Sequence, residues 1–143
     1  SAIGDGVIFY TCDGVTAEEE AAFLENMAGA GRLLPLDDHL MDAGSAVAGC
    51  GPAFVDLFIE AMADGGVACG LTRPMAMECA AQTLIGAARL MLETGRLPGA
   101  LKDAVCSPGG ATIQGVRALE AGGFRSAVME AVIAAYEKSA EMK

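Results

Sequence analysis

The segment with the clearest chemical character is the loop Cys106-Ser-Pro-Gly-Gly-Ala-Thr112, which precedes a short amphipathic run. A helix that starts here would offer N–H groups without intrahelical acceptors, together with a partial positive charge. Its two adjacent glycines let a ligand approach the backbone closely, and Pro108 stiffens the entry. Ser107 and Thr112 add hydroxyl groups. This combination suits a carboxylate or a phosphate.

A second interpretation of the same loop is a plain connection in which Ser107 caps the following helix. The residue types alone favour neither interpretation. A P-loop is excluded, because no Gly-Lys-Ser or Gly-Lys-Thr follows the glycines. The run Gly4-Asp5-Gly6 is not a dinucleotide fingerprint, because it precedes a predicted strand and Phe9 replaces its third glycine.

The composition limits the possible partners. The chain has 143 residues, of which 53% are hydrophobic and 20% charged, with a net charge of -10. Its nine basic residues are scattered, so no nucleic-acid surface is expected. The uncharged stretch 43–55 is short and broken by glycines, so no membrane span is expected either. The excess of apolar residues predicts an obligate oligomer, or burial against a further domain.

Cysteine and histidine usage gives no metal or disulfide pattern. The number of cysteines is odd and no pair has CxxC spacing; they are Cys12, Cys50, Cys69, Cys79 and Cys106. His39 is the single histidine, and no metal site is predicted. We expect reduced cysteines that act as small apolar fillers in a cytosolic protein, with Cys106 the least certain filler because it adjoins the glycine loop.

The first 37 residues predict a strand, a helix and a second strand. The strand covers residues 6–12, and Thr16 with Glu19 fits a capping box at the start of the helix. A short strand at residues 32–36 contains Pro35, which suggests an edge position. Two strands and one helix are not a stable domain. Because the chain also begins at Ser1 rather than Met, we expect a larger α/β domain upstream of it.

Residues 38–143 predict a domain made only of helices. Asp37 or Asp38 caps the first helix, and residues 48–52 interrupt or kink the chain. The next helix covers residues 52–64 and is loosened or ended by Gly65-Gly66. Its apolar face is predicted from five side chains at helical spacing: Phe54, Leu57, Phe58, Ala61 and Met62.

A long helix beginning at Thr72 and ending at Gly95 follows. Its polar residues occupy a stripe only about 60° wide on a wheel of ~100° per residue; they are Glu78, Gln82, Arg89 and Glu93. Such a helix is expected to be buried nearly all round, at the centre of an intersubunit bundle. Three shorter segments, 98–105, 110–120 and 124–142, are also predicted to be helical.

Several stretches together resemble the pyrroline-5-carboxylate reductase family. They are Leu101 to Ile113 with the glycine loop, Ala118 to Ala127 with Gly-Gly-Phe-Arg-Ser, Gly49 to Phe54, Ala63 to Val67, and Gly70 to Arg73. Gly4-Asp-Gly-Val7 is similar to the end of the family's nucleotide-binding domain. The resemblance covers essentially the whole chain.

The resemblance implies a mainly α fold: a helical dimerisation domain of the 6-phosphogluconate-dehydrogenase C-terminal-like type, at residues 38–143. Residues 1–37 would be the remnant of a Rossmann-type nucleotide-binding domain. The family reduces 1-pyrroline-5-carboxylate to L-proline with NADPH or NADH, the last step of proline biosynthesis. The implied partner is a second copy in a homodimer, or further dimers that assemble with it into a decamer, in the cytoplasm. The chain alone is expected to bind no cofactor and to be inactive.

Carried over residue by residue, the resemblance implies a substrate-carboxylate loop consisting of Ser107, Gly109, Gly110, Ala111 and Thr112. The catalytic residues would be Thr112 and Ser45, and Ser45 would also contact the cofactor near the nicotinamide, where the family commonly has Thr. At the kink the family commonly has Leu-Ser-Gly-Ser-Gly-Pro, whereas this chain has Ala48 and Cys50 in place of both serines.

Two alternatives remain open. One is a related imine or β-hydroxyacid reductase with the same two-domain plan. A lysine in the site would favour the β-hydroxyacid type, but Lys102 and Lys138 are poorly placed for that role. The other is a helical oligomerisation module without catalysis. The apolar helix after Thr72 is compatible with all three interpretations.

Overall fold

The computed structural model describes residues 3–142. Strand β1 (Gly6–Tyr10), helix α1 (Ala17–Met27) and strand β2 (Gly31–Pro35) come first. After a 3₁₀ turn (Asp38–Leu40) come α2 (Met41–Ala48), α3 (Gly51–Ala68), α4 (Arg73–Thr94), α5 (Pro98–Ala104), α6 (Ala111–Ala121) and α7 (Phe124–Glu141). The predicted mainly helical fold, preceded by a strand–helix–strand unit, is confirmed.

The chain forms two structural units, one of residues 1–52 with 130–143 and one of residues 53–129. The predicted domain boundary between residues 37 and 38 stays a prediction. The outermost residues of the two predicted domains, Ser1, Ala2 and Lys143, lie outside the described residues.

In the first unit β1 and β2 are parallel, in a register from Gly6 opposite Gly31 to Tyr10 opposite Pro35. Parallel neighbours need a crossover connection, and α1 supplies it. Helix α2 packs on β1 at Gly44, where an added Cβ would lie 2.9 Å from the Phe9 ring. This close approach leaves no room for a side chain at position 44.

In the second unit α3 and α4 pack through small residues. Ala63, Ala76 and Ala80 are buried, and Ile59 and Val67 pack around them. The prediction that Gly65-Gly66 loosens or ends the helix is wrong, because α3 continues to Ala68. An added Cβ at Gly66 would lie 3.2 Å from the Cβ of Ala76. Close packing of the two helices therefore explains this glycine, although glycine is a poor helix former.

The predicted apolar face of α3 is only partly used within the chain. Leu57 is 65% exposed, whereas the ring of Phe58 packs against that of Phe124, with 5.4 Å between the ring centroids. Helix α4 is likewise not buried all round in the single chain, since Met75 is 51% and Leu92 58% exposed. Its place at the centre of an intersubunit bundle stays a prediction.

Only some of the predicted helix caps form side-chain hydrogen bonds. Thr16 forms the expected capping box with Glu19, and Gly95 ends α4 with a left-handed φ of 64°. Asp37 and Thr72 occupy N-cap positions, but neither side chain forms a cap hydrogen bond. These two helical segments therefore begin without a side-chain cap, and Pro74 lies in the first turn of α4.

The buried apolar side chains among residues 3–142 are four alanines: Ala46, Ala63, Ala76 and Ala80. The accessible surface is 10262 Å² for a mass of 14.5 kDa. A folded monomer of that mass exposes about 6,900 Å². The chain thus leaves a large apolar surface uncovered.

One helical stretch of the described chain, Asp38–Ala68, is long and apolar enough to cross a membrane by length and composition, with a mean hydropathy of 1.5. The stretch is interrupted at Gly49-Cys50, between α2 and α3. A core or interface helix has the same composition, so the finding is weak. The expectation of no membrane contact stays a prediction.

Candidate functional site

The glycine loop forms a tight turn between α5 and α6. The N–H of Gly110 donates to the carbonyl of Ser107 at 3.0 Å, and Gly109 has a φ of 70°. Proline at the second position, glycine with positive φ at the third and this hydrogen bond are the features of a type II turn. The turn reverses the chain immediately before α6 begins.

The N-terminus of α6 has no side-chain cap. Gly110 is its N-cap residue, so the alternative interpretation with Ser107 as N-cap is wrong. The type II turn explains the difference, because it keeps residues 107–109 outside the helix. The first N–H groups of α6, beginning with Ala111 and Thr112, have no acceptors within the helix. No acidic residue lies in this first turn.

Ser107 lies directly over the cap residue. An added Cβ at Gly110 would lie 2.3 Å from the Ser107 Oγ. Ser107, Gly109, Ala111 and Thr112 are exposed, and Gly110 is half-buried. The structure therefore brings the five predicted loop residues into one turn, with free N–H groups and two hydroxyl-bearing residues close in the chain. Such a turn can bind an oxyanion.

Charged residues flank the loop on the α5 side. Lys102 forms an ion pair with Asp103, and the hydrogen bond from that pair raises the pKa of Lys102. Lys102 is half-buried rather than fully solvent-facing, whereas Asp103 is exposed as predicted. The Lys102 ammonium therefore stays protonated and has a carboxylate partner.

Sequence reasoning missed a second ion pair near this segment. The Nε of Arg125 donates to the Oε1 of Glu120 at 2.7 Å, across the Gly122-Gly123 connection between α6 and α7. Opposite charges on either side of a glycine pair are the signal that could have identified it.

Ser45 lies on α2, in the other unit, and its side chain is exposed. Its carbonyl accepts the N–H groups of Gly49 and Cys50 at 2.8 and 3.1 Å, which ends α2. The expected interruption after Ala48 is thus present, and Cys50 is half-buried within it.

The carboxyl ends of β1 and β2 border a cleft of about 500 Å³. Beside it, the hydroxyl of Tyr10 donates to the Oε1 of Glu20 at 3.2 Å. The pKa of Cys12 is raised by a hydrogen bond to Glu20 and by desolvation. The five cysteines are free, and Cys69 and Cys79 are exposed rather than packed as fillers within the chain.

The connection from β1 to α1 does not suit a dinucleotide pyrophosphate. The Thr16 hydroxyl already accepts the N–H of Glu19, and the Glu19 carboxylate accepts the N–H of Thr16. Glu18, Glu19 and Glu20 place three carboxylates in the same turn, which would repel a phosphate. A dinucleotide would need residues other than these. Residues 3–142 also contain no group of three or more His, Cys, Asp or Glu that could hold a metal ion.

Comparison with known protein families shows which family the chain belongs to. A sequence model described as pyrroline-5-carboxylate reductase dimerisation matches residues 38–142. The chain belongs to this family. Pyrroline-5-carboxylate reductase of Arabidopsis thaliana is 45% identical over 143 residues, which are 99% of this chain and 52% of that protein.

Solved structures agree with this assignment. A pyrroline carboxylate reductase from Plasmodium falciparum, solved with NADP bound, superposes with a TM-score of 0.87 and 35% identity over 98% of this chain and 54% of that one. The enzyme from Coxiella burnetii gives a TM-score of 0.92 with 28% identity over 99% and 53%. The chain spans about half the length of the relatives it matches.

Proposed function

We propose that this chain is the part of a pyrroline-5-carboxylate reductase that forms the subunit interface and holds the substrate carboxylate. The complete enzyme would reduce 1-pyrroline-5-carboxylate to L-proline. The observation that carries the proposal is the open N-terminus of α6, where Gly110 is the N-cap and contributes no side chain. The relatives are named for a substrate, pyrroline-5-carboxylate, whose carboxylate such a site would bind.

The role of each loop residue follows from its chemistry. Ala111 and Thr112 would donate backbone N–H groups to the carboxylate, and Thr112 would add its hydroxyl. Gly109 and Ser107 would hold the turn that exposes these donors, with the Ser107 hydroxyl over Gly110. Held at one end, the cyclic imine would present its C=N carbon in a fixed orientation, which is a large part of the catalytic effect.

NADPH or NADH would supply the hydride in the complete enzyme. The β1–α1 connection does not fit the pyrophosphate of a dinucleotide, because it is capped and acidic. We therefore propose that the cofactor is held by another part of the polypeptide. Ser45 would be the contact from this chain near the nicotinamide, since its side chain is exposed on α2.

The apolar surface argues for a homodimer. Several large side chains of α3 and α4 are more than one-third exposed in the single chain: Val55, Leu57, Met62, Met75, Met77, Ile85, Leu90 and Leu92. Obligate interfaces bury about 2,000–5,000 Å² in total, roughly half of it on each partner. The accessible surface of this chain exceeds that of a folded monomer by about 3,400 Å², which is enough for such an interface. We further propose that such dimers assemble into a decamer, and sedimentation of the complete enzyme is the test.

A substitution on α4 tests the interface directly. Leu92→Glu should dissociate the dimer of the complete enzyme, because it puts a charge in an apolar contact. Glu93→Ala, at the adjacent position in the polar stripe, is the matched control and should leave the dimer intact. Equal sedimentation of both variants as dimers would remove this face of α4 from the interface.

The decisive test of the reaction is NAD(P)H oxidation by the full-length polypeptide with 1-pyrroline-5-carboxylate. Turnover would support the proposal and show that Ala48 and Cys50 are tolerated at the kink. Bound cofactor without turnover would instead favour another imine substrate or a helical module without catalysis. A β-hydroxyacid reductase is disfavoured, because Lys102 and Lys138 each pair with a carboxylate.

A further inference from the structure

Helix α6 lies between two glycine pairs, Gly109-Gly110 and Gly122-Gly123. Gly109 and Gly123 both adopt left-handed φ values, 70° and 72°. No residue of α6 is fully buried, and its most buried side chains, Ile113 and Val116, are only half-buried. Contacts at the ends of this helix can therefore contribute to its orientation.

The ion pair between Glu120 and Arg125 lies at one of these hinges. Glu120 is in the last turn of α6 and Arg125 in the first turn of α7. Each charge is unfavourable next to the dipole of its own helix, whereas Arg125 is favourably placed beside the carboxyl end of α6. The 2.7 Å bond across Gly122-Gly123 therefore compensates both charges and restrains the angle between the two helices.

Arg125 also lies within electrostatic range of α5. Asp103 raises the pKa of Lys102, and the Arg125 charge opposes that rise. The Cys106 thiol, at the start of the glycine loop, acts on the same ammonium. One guanidinium is thus bonded to the end of α6 and near the helix from which the loop departs.

We propose that Arg125 is a positioning residue for the Ser107–Thr112 loop, acting through Glu120 on the angle of α6. The inference rests on the proposed function, in which the loop binds the substrate carboxylate. Eleven residues of helix rise about 16 Å, so a tilt of about 5° at the hinge moves the far end by about 1.4 Å. Displacements of this size are enough to disturb the orientation of a bound substrate.

The first experiment compares Arg125→Met with Arg125→Lys in the complete enzyme. Methionine keeps an unbranched stem and removes the charge, so KM for 1-pyrroline-5-carboxylate should rise about two- to fivefold, the range of exposed ion pairs. The KM for NADPH should stay unchanged, whereas kcat should fall, because a displaced loop also misorients the bound imine. Arg125→Lys should recover most of the loss, and high salt should reduce the difference between wild type and Arg125→Met.

The second experiment measures hydrogen exchange of residues 114–119, whose N–H groups bond within α6. Exchange should become faster in Arg125→Met and in Glu120→Gln, while α3 and α4 keep their rates. Glu120→Gln also serves as the second variant if Arg125→Met does not fold. Unchanged exchange in α6, or a fall in melting temperature with equal increases in both KM values, would overturn the positioning role. Absence of all reductase activity would instead sink the proposed function, and the exchange data would still decide this inference.

Discussion

The N-termini of α1 and α6 differ in whether side chains accept hydrogen bonds from the backbone N–H groups of the first turn. In α1, Thr16 accepts the N–H of Glu19 at 3.3 Å, and the Glu19 carboxylate accepts the N–H of Thr16 at 2.8 Å. In α6, Gly110 is the cap and no side chain bonds to the first turn. One terminus is closed by its own residues, and the other leaves its donors available.

The charges increase this contrast. Three glutamates lie in the first turn of α1, and none lies in the first turn of α6. Both helices have eleven residues, so their dipoles are comparable. The difference shows that the cap and the first turn decide whether a helix N-terminus stabilises itself or can bind an anion. Substitutions that convert one type into the other test this conclusion.

The largest effect is expected from closing the α6 terminus with a charge. Gly110→Asp puts a carboxylate where the substrate carboxylate is proposed to bind, so repulsion should raise KM for 1-pyrroline-5-carboxylate. Gly110→Ala is the control, because both variants carry the Cβ that meets the Ser107 Oγ. Steady-state kinetics of the complete enzyme should show KM about tenfold higher for Gly110→Asp than for Gly110→Ala. Equal KM values for the two variants would mean that the added Cβ, and not the charge, weakens substrate binding.

A smaller effect is expected from removing one donor of the open terminus. Thr112→Val deletes the hydroxyl and keeps the shape and the backbone N–H. Because Thr112 is exposed to water, the lost hydrogen bond should be worth about 1 kcal/mol and should raise KM for 1-pyrroline-5-carboxylate about fivefold. Thr112→Ser, which keeps the hydroxyl, should stay near wild type. An equal rise in KM for NADPH would contradict a role specific to the carboxylate.

The contrast between the two N-termini also explains which helix ends could be predicted from the sequence. The capping box of α1 was predictable, because it depends on two residues three positions apart. The residues also predict the start of α6 at about position 110, one residue from Ala111. They do not exclude Ser107 as the cap, because only the type II turn at Pro108-Gly109 makes Gly110 the cap residue. The end of α3 was predicted wrongly, because the close contact of Gly66 with Ala76 comes from α4 and is absent from local sequence.

Opening the closed terminus of α1 should affect stability rather than binding. Thr16→Ala removes the hydroxyl that accepts the Glu19 N–H and should lower the stability of α1 by about 1 kcal/mol. Hydrogen exchange of residues 17–23 in the complete enzyme measures the change, and Thr16→Ser is the control. The KM for 1-pyrroline-5-carboxylate should not change. A rise in that KM would link α1 to the substrate site, against the comparison drawn here.

The smallest effect is a pH dependence confined to α1. The backbone N–H of Thr16, and then its hydroxyl, lower the pKa of Glu19 below 4.5. A carboxyl group with a lowered folded-state pKa stabilises the helix above its unfolded pKa, and this contribution is lost as pH falls through the folded pKa. Exchange protection of α1 should therefore decrease on acidification, and less steeply in Glu19→Gln. The matched control is Glu18→Gln, because Glu18 is outside the capping box. If both variants keep the wild-type pH profile, the carboxylate of Glu19 does not hold the terminus closed.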